Sequence, residues 1–153
     1  MDRKVSVVVS VYNEEKALEE FYRETTNVLE QISWDYELLF VNDGSRDGSQ
    51  DILDRLAASD SRVRVISFSR NFGHEAAMIA GLDYSRGHGI ICMDADLQHP
   101  PECIPDILAK FEEGYQVINM VRTRNRTAGL VKNITSSGFY WLINRISDVH
   151  FEA

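Results

Sequence analysis

Short runs of β-branched and apolar residues alternate along the chain with longer stretches of helical period, and this alternation restricts the possible folds more than any other feature. We predict strands at Val5–Val11, Tyr36–Val41, Val63–Ser67, Gly89–Met93 and Gln116–Val121. Strands separated by helices are typical of βαβ units, in which neighbouring strands run parallel. The sequence therefore predicts an α/β fold, a Rossmann-like and mainly parallel sheet flanked by helices.

The intervening stretches predict the covering helices. The first helix should begin after Asn13, which we interpret as its N-cap, and its apolar positions recur at helical spacing as far as Ile32. Further helices are predicted near Ser49–Ala58, Glu75–Ser85 and Glu102–Glu113. The last stretch, Ala128–Ile146, is too apolar and aromatic to leave a polar face, which fits an interfacial helix at a membrane or an ordinary packed helix.

Length and charge limit the class of protein. A chain of 153 residues has the size of one domain, and we predict a single domain over 1–153. The net charge of -8 argues against non-specific binding to nucleic acid. Residues 114–147 nevertheless contain five basic residues and no acidic one, which fits either a solvated helix face or contact with phosphate.

Ligands of open α/β sheets bind beyond the carboxyl ends of the strands, so the residues that follow each predicted strand are the candidate site. The first strand runs into Ser10-Val11-Tyr12-Asn13-Glu14 and the second into Asn42-Asp43-Gly44-Ser45. The third is followed by Arg70-Asn71-Phe72-Gly73 and the fourth by Asp94-Ala95-Asp96-Leu97-Gln98.

Asp94 and Asp96 lie two positions apart at the end of an apolar strand, so both carboxylates should project to one side. Holding two like charges together is unfavourable without a cation, and Mg²⁺ is typically held by one or two carboxylates together with substrate phosphates. Alternatively, one carboxylate caps the following helix and the other is merely exposed. The pair by itself is a weak motif, and its position at a strand end strengthens it.

The other strand ends offer groups for a nucleotide. Asp43 is suited to a ring N–H of a base or a ribose hydroxyl, although Asp-Gly is also an ordinary turn signal. Tyr12 could stack on the base beside Asn13 and Glu14, whose alternative role is helix capping. Gly73 would permit close approach of the backbone to a ligand.

Four segments in this order, VSVVVSVYNEE, LLFVNDGSRDGS, SFSRNFGHEAAMIAGLDYSRG and IICMDADLQHPPE, closely resemble the inverting family 2 glycosyltransferases of the GT-A fold. The branch that the chain resembles most includes the dolichyl-phosphate mannosyltransferases and the bacterial polyprenyl-phosphate glycosyltransferases. The resemblance covers almost the whole chain.

The resemblance implies a role for each matching residue. Tyr12, Glu14, Asp43 and Arg70 would contact the base and ribose of a UDP- or GDP-sugar, and Asp94 and Asp96 would hold Mg²⁺ or Mn²⁺ against its diphosphate. Gln98 would lie near the sugar, and Arg122 and Lys132 would meet the diphosphate or the acceptor phosphate. The set of candidate nucleotide-binding residues is Ser10, Tyr12, Asn13, Glu14, Asp43, Arg70, Asn71, Gly73 and Lys132.

Two departures from the family pattern qualify these expectations. Ser10 stands where the family usually has proline, which removes no reacting group. The sequence ends at ISDVHFEA, whereas relatives continue, so we expect an amino-terminal portion of a longer protein that is itself soluble and cytoplasmic. We expect the complete protein to lie at the cytoplasmic side of a membrane and in contact with it. A homo-oligomer is one candidate state.

The implied reaction is metal-dependent transfer of a hexose to a polyprenyl phosphate (undecaprenyl or dolichyl), with inversion at the anomeric carbon, in cell-envelope glycan synthesis. Two alternatives stay open: transfer to a glycan hydroxyl, which would need a general base, and a non-catalytic nucleotide-sugar-binding fragment. A phosphoacceptor signalling domain is disfavoured because its acidic pair should follow the first strand.

Overall fold

The computed structural model describes residues 3–96 and 100–120. Four strands are present there: β1 (Lys4–Val11), β2 (Asp35–Asn42), β3 (Val63–Ser67) and β4 (Gly89–Asp94). Four α-helices alternate with them: α1 (Leu18–Leu29), α2 (Ser49–Ser59), α3 (His74–Tyr84) and α4 (Ile104–Glu112), the last preceded by a 3-10 turn over Pro101–Cys103. The predicted α/β alternation is confirmed over this part of the chain.

The strands form one parallel sheet in the order β3-β2-β1-β4. β1 is central, and its Val8 pairs with Leu39 of β2 on one side and Cys92 of β4 on the other. Because all the described strands run in one direction, their carboxyl ends and the loops that follow them lie at the same edge of the sheet. This is the edge at which the predicted site residues occur.

Hydrophobic packing covers both faces of the sheet. Side chains of β1 and β2 such as Val9 and Phe40 are fully buried in a core with α1, α2 and α4, where Phe21 meets Phe40 edge to face at 6.2 Å. On the opposite face α3 lies so close to β1 that a Cβ at Gly81 would collide with the side chain of Val8. Within the part of the chain that the structure describes, the edge strand β4 is covered on one face only, since Ile91 and Met93 are buried whereas Ile90 and Cys92 on the other face are exposed.

The predicted fifth strand is wrong over the residues that can be compared. Gln116–Met120 carry no strand hydrogen bonds and are mostly exposed, while Val121 lies outside the described residues. A β-strand exists only through hydrogen bonds to a neighbouring strand, and no described strand pairs with this segment. Apolar and β-branched residues alone were therefore an insufficient signal there.

The predicted start of the first helix is also wrong. α1 begins at Leu18, and a turn in which Ala17 and Leu18 donate to the Glu14 carbonyl oxygen precedes it. Asn13 does not cap this helix: its backbone is left-handed, with φ 59°, and its side-chain oxygen accepts from the Arg46 backbone nitrogen at 2.8 Å. A longer-range partner has displaced the local capping bond.

The chain divides into two compact units, residues 1–118 and 119–153, and all the helices and strands above belong to the first. Of the second unit the structure describes only residues 119 and 120. None of the helices in the described ranges combines the length and the apolarity that a membrane span requires. The predicted helix at Ala128–Ile146 lies outside the described residues.

A buried carboxylate organises the amino-terminal side of the sheet. Glu37 of β2 is only 2% exposed and accepts hydrogen bonds from Ser6 Oγ at 2.6 Å and from the Arg86 backbone nitrogen at 2.7 Å. Arg64 and Lys4 form ion pairs with it at 3.2 and 3.3 Å. Burial by itself would raise the pKa of Glu37, but these hydrogen bonds and the positive charges together lower it.

We expect Glu37→Gln to reduce the free energy of unfolding at neutral pH by about 2 kcal/mol, because a charged acceptor is lost beside two cations. The lowered pKa of Glu37 means that its contribution is present above the usual glutamate pKa of about 4.3 and is lost as the pH falls below it. Urea unfolding at a series of pH values should show the wild type and the variant converging in acid.

Glu19→Gln is the matched control, because Glu19 is an exposed helix residue whose pair with Arg55 lies in solvent. Its substitution should change stability by less than about 0.5 kcal/mol. A difference between wild type and Glu37→Gln that stays constant with pH would contradict the role assigned to the Glu37 charge.

Candidate functional site

Polar side chains from four segments that follow or end the strands converge on one open pocket at the carboxyl edge of the sheet. The residues that line it are Ser10, Tyr12, Glu14, Asp43, Asn71, His74, Asp94, Ala95 and Asp96. Seven of the residues predicted to bind the nucleotide or the metal are thus brought together, from positions up to 86 apart in the sequence. Parallel strand order is the reason that they meet.

The loop between β1 and α1, residues 12–17, is held by the loop between β2 and α2, residues 43–48, and by the first residue of α2. The Asn13 and Glu14 backbone nitrogens donate to Ser45 Oγ at 3.0 Å and to Ser49 Oγ at 2.9 Å. In return the Gly48 nitrogen donates to Glu15 Oε2 at 2.8 Å. These bonds fix the backbone on either side of Tyr12 and Glu14, whose side chains face the pocket.

The loop between β3 and α3, residues 68–73, is attached to the same β2–α2 loop. The buried carboxylate of Asp43 accepts from the backbone nitrogen of Phe72 at 2.7 Å and from that of Gly73 at 2.9 Å. Gly73 is the N-cap of α3 and has φ 101°, a backbone conformation that favours glycine. Asn71 and His74, on either side of these two residues, line the pocket.

The end of β4 supplies the two predicted metal-type carboxylates. Asp94 is the last residue of β4 and pairs in register with Ser10, whereas Asp96 is exposed two residues later. Ala95 between them is 1% exposed and packs into the core. Anchoring of Ala95 keeps both carboxylates at the pocket.

Several neighbouring carboxylates affect the pKa of Glu14. Its pKa is raised, first by partial burial and then by the charges of Asp96, Asp47 and Asp94. A carboxyl with a raised pKa beside other carboxylates marks a site where a cation would relieve repulsion. The metal role of Asp94 and Asp96 stays a prediction, because burial is the largest cause of this shift.

The donor set fits a divalent cation only in part. Within the described residues, no group of three or more His, Cys, Asp or Glu side chains is arranged to hold a metal. Two carboxylate ligands suffice for Mg²⁺ when substrate phosphates complete the coordination. The pocket therefore fits a cation that arrives with a diphosphate better than a permanently bound structural metal.

Three predicted residues of the described chain do not line the pocket. The Asn13 side chain accepts a hydrogen bond from the Arg46 backbone nitrogen, and Gly73 is the N-cap of α3. The Arg70 guanidinium lies 4.4 Å from the centroid of the Phe72 ring. Gln98, Arg122 and Lys132 lie outside the described residues.

His74 is a pocket residue that the sequence analysis did not assign. Its Nδ1 lies 3.5 Å from Asp94 Oδ1, in the first turn of α3. The one sequence feature that could have indicated a role for His74 is its position directly after Gly73, in the segment that follows β3. A histidine without local ligand spacing was overlooked because its partner is 20 residues away in the sequence.

Several solved structures, among them a mannosyltransferase, have a similar fold. The crystal structure of TarS 1-349 from S. aureus matches with a TM-score of 0.58 and 22% identity, over 80% of this chain and 38% of that chain. The mannosyltransferase PcManGT from Pyrobaculum calidifontis, in complex with GDP-Man and Mn²⁺, matches with a TM-score of 0.52 and 23% identity over 60% of this chain and 27% of that chain. At these identities the likeness establishes the fold, and the predicted GT-A architecture is confirmed.

Relatives found by sequence share a higher identity with this chain than the solved structures do. A protein of Bacillus subtilis (strain 168) named uncharacterized glycosyltransferase YkcC is 46% identical over 94% of this chain and 45% of its own length. The prophage bactoprenol glucosyl transferase homolog of Escherichia coli (strain K12) is 42% identical over 97% of this chain and 49% of its own length. The chain therefore spans about half the length of these relatives.

The profile of one protein family, glycosyl transferase family 2, matches residues 6–149. That range includes every strand end that contributes to the pocket and all of the predicted site residues. Because the match extends over nearly the whole sequence, the chain belongs to glycosyl transferase family 2.

Proposed function

We propose that the protein transfers a hexose from a UDP- or GDP-sugar to a polyprenyl phosphate, with inversion at the anomeric carbon and with Mg²⁺ or Mn²⁺ as cofactor. The observation that carries this proposal is the convergence of Tyr12, Glu14, Asp94 and Asp96 on one pocket. An aromatic ring for a base, placed beside carboxylates for a cation and diphosphate, matches the chemistry of a nucleotide-sugar donor.

The bond changes define what the pocket must do. An oxygen of the lipid phosphate attacks the anomeric carbon, and the bond from that carbon to the diphosphate breaks, releasing UDP or GDP. Negative charge grows on the leaving diphosphate while the sugar gains oxocarbenium character, so the protein must stabilise the leaving group. A phosphate acceptor is ionised near neutral pH, so no strong general base is needed.

Asp94 and Asp96 would hold the cation at the end of β4, and Tyr12 would border the base at the end of β1. A divalent cation, when bound, supplies Lewis-acid stabilisation to the diphosphate. His74 Nδ1 lies 3.5 Å from Asp94 Oδ1, and the buried Ala95 keeps the two aspartates close together. Gln98 near the sugar and Arg122 and Lys132 near the phosphates complete the proposed set.

The polyprenyl acceptor is supported by relatives whose names specify it. Besides the Escherichia coli homologue, the bactoprenol glucosyl transferase of Shigella phage SfV is 41% identical over 97% of this chain and 48% of its own length. The five basic residues of 114–147 also suit an acceptor phosphate. By extension, the complete protein would work at the cytoplasmic side of a membrane and in contact with it, with a homo-oligomer as one candidate state.

Asp96→Asn in the complete protein should reduce transfer by at least about a thousandfold, because the leaving diphosphate loses cation stabilisation. The assay offers UDP- and GDP-sugars in turn to undecaprenyl phosphate, with Mn²⁺, Mg²⁺ or EDTA, and detects the glycolipid. Asp51→Asn is the control, since Asp51 is an exposed carboxylate on α2 that does not line the pocket.

The same panel separates the competing functions. Donor binding without turnover on any acceptor would indicate a non-catalytic module, and transfer to a glycan hydroxyl but not to a lipid phosphate would identify the other acceptor class. Full activity of Asp96→Asn would remove the metal role from Asp96.

Glu14 provides a readout of the cation that does not depend on turnover. Its pKa is raised by burial and then by the neighbouring carboxylates, so Mg²⁺ bound with UDP should lower it. The pKa of the Glu14 carboxyl can be followed by ¹³C NMR with UDP alone and with UDP and Mg²⁺.

Asp96→Asn should already lower the pKa of Glu14 without a cation and should weaken the response to Mg²⁺, whereas Asp51→Asn should change neither. In the wild type, a pKa of Glu14 that is the same with UDP alone as with UDP and Mg²⁺ would argue against a cation at this pocket.

A further inference from the structure

Asp43 lines the pocket, yet its carboxylate is already engaged by the protein itself. The side chain is 2% exposed, and its two oxygens separately accept the backbone N–H groups of Phe72 and Gly73, at 2.7 and 2.9 Å. Hydrogen bonds to an ionised acceptor are stronger than neutral ones. The carboxylate therefore bridges the end of β2 and the start of α3.

Gly44 shows that this bridge is a close backbone contact. Its φ is +66°, and a Cβ built on it would lie 2.6 Å from the Asn71 backbone nitrogen and would collide with the Arg70 carbonyl carbon. A residue with a side chain at this position would have to push the β3–α3 loop away. Asp43 and Gly44 thus form one contact surface for the β3–α3 loop. We call this pair of residues the latch.

The latch determines the position of residues that face the pocket. Asn71 immediately precedes the two latched amides and His74 immediately follows them, and both line the pocket. His74 in turn approaches Asp94 Oδ1 at 3.5 Å. Asn71 and Phe72 are themselves exposed, so little burial holds this part of the loop apart from the latch.

We propose that Asp43 is a positioning residue of the donor site, which holds the β3–α3 loop so that Asn71 and His74 form one wall of the nucleotide pocket. This inference rests on the proposed function for the identity of the ligand, a nucleoside diphosphate. A carboxylate oxygen can accept a second hydrogen bond, so direct contact with the base is the rival role of Asp43.

The test compares Asp43→Asn, Gly44→Ala and the control Asp51→Asn in the complete protein. Asn keeps the size of the side chain but offers an NH₂ group to one of the two amides, whereas Ala at position 44 displaces the loop and leaves the carboxylate intact. Hydrogen exchange reports the protection of the Phe72 and Gly73 amides, and calorimetry reports the affinities for UDP and GDP with Mn²⁺.

We expect both latch variants to lower amide protection at Phe72 and Gly73 by about tenfold or more, since one charge-assisted bond or its geometry is lost. Both should weaken UDP and GDP binding by about tenfold and by the same factor for each nucleotide, because a displaced wall serves neither base. Asp51→Asn should match the wild type in all of these measurements.

Two results would overturn the proposal. One is a changed ratio of UDP to GDP affinity in Asp43→Asn with amide protection preserved, which would make Asp43 a base-reading residue. The other is unaltered nucleotide affinity in Gly44→Ala despite lost protection. If Asp43→Asn does not fold, Gly44→Ala still tests the proposal, because unaltered nucleotide affinity despite lost amide protection would overturn it.

Failure of the proposed function has a separate signature. If the wild type binds neither UDP nor GDP, the nucleotide role of the pocket is refuted, while hydrogen exchange still shows whether Asp43 and Gly44 hold the loop.

Discussion

Pairing of β1 with β2 on one side and with β4 on the other determines where the candidate site lies. Both pairings are parallel, so the segments after β1, β2 and β4 leave the sheet in the same direction. The register then brings Ser10 beside Asp94 and leaves Tyr12 and Asp96 just beyond the last paired residues. A one-residue slip would turn each of these side chains to the opposite face, and the buried valines of β1 oppose such a slip.

A second layer of organisation comes from the β2–α2 loop, which is bonded to both neighbouring loops. Ser45, together with Ser49 at the start of α2, holds the backbone after β1, and Asp43 holds the backbone after β3. Such bonds fix the conformations of irregular segments before a ligand binds, which lowers the ordering cost at the moment of binding. The shape of the pocket therefore depends on short polar side chains that accept hydrogen bonds from the backbone of neighbouring loops.

Carboxylates have opposite surroundings at the amino-terminal and the carboxyl ends of the strands. At the amino-terminal side, Glu37 is buried but surrounded by donors and cations, and its pKa is lowered. At the carboxyl side, Glu14 lies beside Asp94 and Asp96, and its pKa is raised, with burial as the main cause. The first arrangement is complete within the protein and stabilises the fold, whereas the second concentrates carboxylates at the pocket, where shifted pKa values are common in functional sites.

Hydrophobic periodicity was sufficient to predict β1 to β4 and the helices between them, because burial of alternating or helically spaced side chains is a local property of the sequence. It failed at Gln116–Met120, where strand formation needs a partner that the described sheet does not provide. Family resemblance and strand-end position together identified Tyr12, Glu14, Asp94 and Asp96, all of which reach the pocket.

What the sequence determined by itself was the order of the elements and the chemistry placed at each strand end. Only the tertiary structure decided which of those groups face the pocket: Asn13 is bonded to Arg46, Asp43 to the amides of Phe72 and Gly73, and His74 lies beside Asp94. The physical reason is that each of these contacts joins residues 20 or more positions apart. Local pattern cannot specify such a hydrogen bond, because its partner is chosen by the packing of the sheet.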